Sequence, residues 1–171
     1  MDNNLLVIIL IICVFLLNIT KRMVKIKKYS YWESVNNTYI LELRIMLEDL
    51  YPELEENFNA FLIGGTLLGS VRNEKIIPWD DDIDLGIYTD NPNKTRKQLK
   101  KLIKPKTKYK FEKTYFGGRI IHTKSGVFID IFLYIKEGSR ILSISKRART
   151  MWPQNNFSEE QMKLETAKLY D

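Results

Sequence analysis

Four aspartates fall within the five residues Asp80–Asp84, directly before and inside an apolar stretch. The alternation over Ile83–Tyr88 predicts a β-strand, in which every second side chain lies on the same face. Asp80, Asp82 and Asp84 would then share one face, and the apolar residues between them would pack on the other. Carboxylates this close repel and raise each other's pKa values. A divalent cation would remove that conflict, and an exposed acidic turn is the alternative.

A second acid stands alone in a later apolar run. Asp130 is the one charged residue of Val127–Leu133, which reads as a buried strand. A lone buried carboxylate is costly unless it has a partner. A metal ion held by the neighbouring aspartates would be such a partner. A salt bridge to an arginine such as Arg119 is the alternative.

The composition limits which metal could bind. The 171 residues contain one cysteine, Cys13, and one histidine, His122. Cysteine-based and histidine-rich metal sites are therefore excluded within one chain. Carboxylates would have to hold the ion, with Asp82, Asp84 and Asp130 as the candidate ligands. Oxygen ligands favour a hard cation, here Mg²⁺ or Mn²⁺.

A glycine-rich segment precedes the aspartates. Gly64–Ser70 follows an apolar run, Phe58–Ile63, that reads as a short strand, and it opens a helix over Leu67–Val71 that Thr66 can cap. Backbone N–H groups at the start of a helix bind phosphate, and glycine permits close approach. Phosphate on one side and metal on the other is the arrangement that phosphoryl transfer requires.

These motifs together resemble the signature of the LicD/fukutin family. The resemblance rests on Gly65–Arg72 and Ile77–Gly86, and Phe128–Phe132 resembles the strand that carries the family's third aspartate. It covers roughly Tyr29–Ile135. It implies a nucleotidyltransferase-type fold and the transfer of a phosphorylated group from a CDP-linked donor, of choline or an alditol, to a glycan hydroxyl.

The resemblance also implies roles for single residues. Asp82, Asp84 and Asp130 would be the catalytic metal ligands, and Asp80 an acid that orients the substrate or supports those ligands. The residues expected near the donor phosphate are Gly64, Gly65, Thr66, Ser70 and Arg72, with Arg119 and Lys113 as further candidates.

Two rival functions remain open. An enzyme of the same fold class could transfer a nucleotide instead of a choline or alditol phosphate. Alternatively, the chain is a catalytically inactive, membrane-bound module that binds a nucleotide or glycan. Family members usually continue well past the third aspartate, whereas this chain stops at Asp171, which favours the second rival; the intact aspartates oppose it.

The amino-terminal segment 1–28 is predicted to be a single-pass membrane anchor with a basic flank. Leu5–Leu17 is unbroken apolar sequence, and the segment extended to Ile19 is about 15 residues long, against the roughly 20 that span a bilayer. A buried core helix is the alternative. The flank favours a cytoplasmic carboxyl-terminal domain, whereas three glycosylation sequons oppose it, so the side of the membrane stays undecided. The basic residues of the flank are Lys21, Arg22, Lys25, Lys27 and Lys28.

Residues 29–171 are predicted to form one α+β domain, a small mixed sheet flanked by helices. Much of the net charge of +6 lies in Lys94–Lys113, which has ten basic residues against one acid. Without an aromatic reading surface or a known motif, we expect no nucleic-acid binding there. The other predicted elements are a helix over Tyr31–Leu50 that Pro52 ends or follows with a turn, a turn at Asn91–Asn93 with a helix to Lys104, strands at Tyr109–Tyr115, Arg119–Thr123 and Val127–Ile135, turns at Gly117-Gly118 and Ser125-Gly126, and helices at Ile141–Thr150 and Ser158–Tyr170. The last two of the three strands could form a hairpin.

Overall fold

The computed structural model describes residues 38–162, and this part of the chain is a mixed sheet flanked by helices. The predicted α+β class is therefore confirmed. The helices are α1 (38–58), α2 (Gly64–Asn73), α3 (Pro92–Ile103) and α4 (Lys146–Met151), with a 3₁₀ turn at Pro153–Asn155. The strands are β1 (Phe61–Leu62), β2 (Ile83–Tyr88), β3 (Tyr109–Lys113), β4 (Gly117–His122), β5 (Phe128–Glu137), β6 (Arg140–Ser143) and β7 (Phe157–Ser158).

Strands β2 and β5 form the centre of the sheet. The order is β1-β2-β5-β4-β3, and β6 and β7 extend the sheet from the second half of β5. β2 and β5 run parallel, with Asp84 opposite Asp130, whereas the other strand pairs are antiparallel. The parallel pairing brings together two acids that are far apart in the chain.

Alternate residues of β2 and β5 point to opposite faces of the sheet. One, the core face, packs against α1 and α3 and is entirely aliphatic on these strands. The other, the site face, carries Asp84 and Asp130 and then an aromatic cluster. The core-face residues are Ile83, Leu85, Ile87, Ile129, Ile131 and Leu133, and they pack with Leu43, Leu47, Leu50, Leu54, Leu99 and Ile103 of the helices. The aromatic cluster contains Phe61, Phe116, Phe132 and Tyr134, with Trp152 and Phe157 at its edge.

Helix α1 does not end at Pro52 as predicted but continues to residue 58. Pro52 is exposed, so water can reach the backbone carbonyl that loses its partner. Two residues on, Leu54 is fully buried, and it extends the apolar stripe of the helix one turn beyond Leu50. The helix ends instead at Asn59, whose φ of 49° is left-handed. Tertiary packing has outweighed the local cost of proline.

The start of α2 also differs from the prediction. The strand predicted over Phe58–Ile63 shrinks to β1, and α2 begins at Gly64 with Ile63 as its N-cap residue, without a side-chain cap. Thr66 is therefore not the cap. It is buried inside the first turn, where its hydroxyl faces the backbone of β2.

Two further predictions were wrong. Gly117 and Gly118 lie within β4 and not in a turn. Glycine is needed at these positions because a Cβ on Gly117 would collide with the carbonyl of Ile131, and one on Gly118 with the ring of Phe111. Ile141–Thr150 is not one helix. It divides into β6, which pairs with the end of β5, and α4, which starts only after Ser145 caps Ala148 N–H.

Other predictions were confirmed. β2 has the predicted bounds, and β4 and β5 form a hairpin, a pairing that the sequence allowed. The turn predicted at Asn91–Asn93 is instead the start of α3, which begins at Pro92 with Asn91 as its N-cap, accepting a hydrogen bond from Lys94 N–H. The anchor Leu5–Ile19 and the start of the first helix at Tyr31 lie outside the described residues, as do residues 163–170 of the helix predicted over Ser158–Tyr170. The described start of that predicted helix is not helical, since Ser158 belongs to β7 and residues 159–162 form a turn. Across residues 38–162, no helix has the length and apolarity needed to cross a membrane.

Candidate active site

Three carboxylates converge where β2 begins. Asp82 ends the loop before β2, Asp84 is the second residue of β2, and Asp130 lies opposite it on β5. One oxygen from each of the three lies within 4.8 Å of the others. The convergence predicted from the sequence is therefore confirmed. The donor set is oxygen only, which suits a hard divalent cation.

The loop before β2 adds a second acidic group. Among the described residues, Asp80, Asp81 and Asp82 also place carboxylate oxygens within 4.8 Å of each other, so Asp82 belongs to both groups. The loop is fixed from two sides. Asp80 N–H donates to the carbonyl of Ile77 over 2.9 Å, and the Tyr39 hydroxyl donates to the carbonyl of Asp81 over 2.9 Å.

The electrostatics of the site disfavour ionised carboxylates. Burial, then the charges of Asp82 and Asp130, raises the pKa of Asp84 to about 8, although a hydrogen bond from Gly65 N–H opposes this shift. Burial, then Asp130 and Asp81, raises the pKa of Asp82 to about 7. A bound cation would offset both burial and repulsion, so proton and metal compete for these groups.

Asp130 has a cationic partner of its own. Arg119, directly opposite it on β4, donates from Nε to Oδ1 over 2.6 Å and from Nη2 to Oδ2 over 2.7 Å. The arginine considered as an alternative to metal is thus present beside the other two acids. Burial still keeps the pKa of Asp130 raised, although the bonds and charge of Arg119 lower it.

The start of α2 presses against the carboxylates. A Cβ on Gly64 would lie 2.5 Å from Asp84 Oδ2, and one on Gly65 would lie 2.5 Å from Asp80 Oδ2. Gly64 also has a φ of +57°, which favours glycine. The Thr66 hydroxyl accepts a hydrogen bond from the backbone N–H of Asp84 over 2.8 Å. The glycine motif therefore allows the aspartates to pack closely against α2 and fixes the backbone of Asp84, a role that sequence reasoning missed.

The structure separates the residues expected near the donor phosphate. Gly64 and Gly65 lie at the carboxylates, whereas Thr66 and Ser70 are buried on the inner side of α2. Arg72 lies exposed in the last turn of α2, where its Nε donates to Asn73 Oδ1 over 2.7 Å. Arg72 is thus at the opposite end of the helix from the site, about 12 Å along its axis. Contact of these residues with phosphate stays a prediction.

Part of the basic segment Lys94–Lys113 has structural partners. Arg96 donates to the carbonyls of Gly117 and Thr114, which holds α3 to the β3–β4 turn. Three lysines pair with acids: Lys106 with Glu53, Lys108 with Asp49 and Lys110 with Glu112. These contacts explain several of the charges without a polyanionic ligand.

Comparison with known proteins agrees with this geometry. The family model described as LicD/FKTN/FKRP, nucleotidyltransferase domain, matches residues 57–167, which include every carboxylate of the site. The chain belongs to this family, and membership suggests a transferase.

The relatives are longer than this chain. It is 25% identical over 139 residues to an uncharacterized protein of Rickettsia prowazekii, covering 81% of this chain and 48% of that protein. It is 30% identical over 126 residues to an uncharacterized protein of Rickettsia typhi, covering 70% and 36%. A shorter match, 58% over 31 residues, links it to human ribitol 5-phosphate transferase FKRP, covering 18% and 6%. The chain spans about half or less of each.

Proposed function

We propose that this chain is a cation-dependent phosphotransferase that moves phosphocholine or an alditol phosphate from a CDP-linked donor to a glycan hydroxyl. The observation that carries the proposal is the convergence of Asp82, Asp84 and Asp130 at the start of the parallel strands. Family membership and the short match to a ribitol 5-phosphate transferase support it.

In this proposal Asp82, Asp84 and Asp130 hold Mg²⁺ or Mn²⁺. The cation supplies charge neutralisation at the phosphoryl group during in-line displacement. The protein fixes the ligands in advance: Gly65 N–H bonds Asp84, the Thr66 hydroxyl holds the backbone of Asp84, and β5 aligns Asp130. Preorganised ligands of this kind lower the cost of binding the reacting groups.

Asp80 is our candidate for the general base. It adjoins the same carboxylate group, and burial followed by the charge of Asp81 raises its pKa above the ordinary value. A carboxylate with a raised pKa accepts a proton more readily than an ordinary aspartate. In this role it takes the proton from the attacking acceptor hydroxyl as the bond to phosphorus forms.

The deciding experiment is product analysis. CDP-choline and CDP-ribitol carrying ³²P on the phosphate next to choline or ribitol are incubated with glycan acceptors, with and without Mg²⁺. We expect label on the glycan, release of CMP, and no product in EDTA. Asp82→Asn, which keeps size and shape but loses the charge, serves as the inactive control.

The same experiment separates the rivals. Cytidine appearing on the acceptor would identify a nucleotidyltransferase. Donor binding without any product would identify a binding module, and either result would overturn the proposed reaction.

We further propose that Leu5–Ile19 anchors the chain in a single-pass arrangement. Its support is the apolar sequence itself. Burial of such a run in a bilayer is insensitive to salt, whereas binding through the basic residues is screened by it. The chain should remain with membranes through high-salt and carbonate washes. Release by salt alone would show that the basic segment after it is the only tether.

A further inference from the structure

The pairing of Arg119 with Asp130 has a geometry that a simple ion pair does not require. Both Asp130 oxygens are engaged, at 2.6 and 2.7 Å, in the two-pronged arrangement that only arginine can form. The Asp130 side chain is 7% exposed, so its orientation is set by protein contacts and not by water.

The guanidinium is itself held in place. Its central carbon lies 3.7 Å from the ring centroid of Phe128, a cation–π contact. Phe128 and Asp130 are two residues apart on β5 and share a face. Arg119 on β4 therefore contacts two side chains of β5, the carboxylate of Asp130 directly opposite it and the ring of Phe128 diagonally across from it.

The arginine does not occupy the place of a cation. A carboxylate offers about four lone-pair positions, and the fork of Arg119 takes two of them. The oxygens of Asp82, Asp84 and Asp130 lie within 4.8 Å of one another while both Arg119 bonds are formed. Ligand convergence thus exists with the arginine in place, which argues against Arg119 as a stand-in that must leave before a metal binds.

We propose that Arg119 is a positioning residue for the cation: it orients the Asp130 carboxylate toward Asp82 and Asp84 and offsets part of their repulsion. The inference rests on the proposed function, since it assigns a role at the same metal site. It differs from the expectation that Arg119 contacts the donor, because Arg119 acts here through Asp130. Ligands oriented by such hydrogen bonds bind metal more tightly than free ones.

The test is a Mn²⁺ titration of the full 171-residue chain, with free Mn²⁺ followed by electron paramagnetic resonance. We expect Arg119→Gln to weaken Mn²⁺ binding about 10- to 100-fold, the usual effect of losing such a contact. Arg119→Lys should fall between it and the wild type, since an ammonium cannot form the fork.

The chain offers a matched control. Arg149 of α4 also forms a forked pair, with Nη1 and Nη2 3.1 and 2.5 Å from the carboxylate of Glu137, seven residues beyond Asp130 at the end of β5. Arg149→Gln should lower the melting temperature and leave Mn²⁺ affinity unchanged. Weakening of equal size in both variants would assign the effect to general destabilisation and overturn the inference.

The remaining outcomes are equally decisive. Unchanged or tighter Mn²⁺ binding by Arg119→Gln would make Arg119 a structural partner or a competitor, and would overturn the inference alone. A wild type that binds no Mn²⁺ would remove the proposed function as well.

If Arg119→Gln does not fold, Phe128→Leu decides, because it removes the ring and keeps both charges. Weaker Mn²⁺ binding supports the inference, and unchanged binding overturns it.

Discussion

The core face and the site face of the central sheet are formed by the same two strands, β2 and β5, whose successive side chains point to opposite faces. On the core face, Leu85 and Ile131 are fully buried among aliphatic side chains. On the site face, their neighbours Asp84 and Asp130 are carboxyl groups whose ionisation is disfavoured by burial. In these two strands, stability and chemistry are divided by the direction of the side chain and not by the segment of the chain. Adjacent substitutions should therefore have opposite consequences.

The largest effect is expected on the site face. Asp84→Asn keeps size and shape but removes the charge that would hold the cation, whose contribution is several kcal/mol, so turnover should fall by about 10³-fold or more. Stability should be unchanged or rise, because repulsion with Asp82 and Asp130 is relieved. Steady-state kinetics and thermal melting measure the two effects. Asp90→Asn, beyond the other end of β2, is the control, and near-full activity of Asp84→Asn would contradict the metal role.

The next effect belongs to the core face. Leu85→Ala removes a fully buried side chain and should lower the free energy of unfolding by about 2–5 kcal/mol. Turnover per folded molecule should change little. Urea denaturation monitors the loss, with Leu68→Ala as control, since Leu68 is 52% exposed. Loss of turnover per folded molecule as large as that of Asp84→Asn would mean that the faces are not separable.

The third prediction concerns pH in the absence of metal. The pKa values of Asp82 and Asp84 are raised from 3.8 to about 7 and about 8, so between roughly pH 4 and 8 the folded chain binds more protons than the unfolded chain. These groups therefore make stability fall as pH rises through that window. Mg²⁺ should raise the melting temperature more at pH 8 than at pH 6. Melting curves in EDTA and in Mg²⁺ test this. An equal gain at both values would show that the cation binds elsewhere.

The smallest effect is expected at Tyr134, a polar residue of the site face that lies in the aromatic cluster. Within the described residues, the buried Tyr134 hydroxyl has no hydrogen-bond partner. Tyr134→Phe should therefore be neutral or stabilising, by up to about 1 kcal/mol. Tyr109→Phe is the contrast, because the Tyr109 hydroxyl donates to Asp49 over 2.6 Å and its loss should destabilise. Urea denaturation compares the two, and clear destabilisation by Tyr134→Phe would reveal an unrecognised partner.

Local patterns in the sequence predicted the centre of the molecule well. Ile83–Tyr88 alternates over its whole length, and the lone acid Asp130 implied a partner, so both strands and the meeting of their acids followed from short-range evidence. Both partners weighed for Asp130 are compatible with the structure. Arg119 bonds it while the other carboxylates converge on it.

The errors arose where distant contacts decide local structure. Pro52 stays within a helix because Leu54 is buried against the sheet. Glycine at position 117 is compatible with a turn or with a close approach between two paired strands, and only the position of the Ile131 carbonyl distinguishes them. Thr66 could cap a helix or hold a neighbouring strand, and the choice depends on where Asp84 lies.

The parallel pairing of β2 with β5 also has a consequence for the order of folding. The segment between them forms α3, β3 and β4, so closing this pair comes at the entropic cost of a long loop. Asp84 and Asp130 can meet only after that closure. A cation bound by both would therefore act late in folding, after the costly closure of this pair. It should slow unfolding and leave the refolding rate unchanged, which stopped-flow measurements with and without Mg²⁺ would detect.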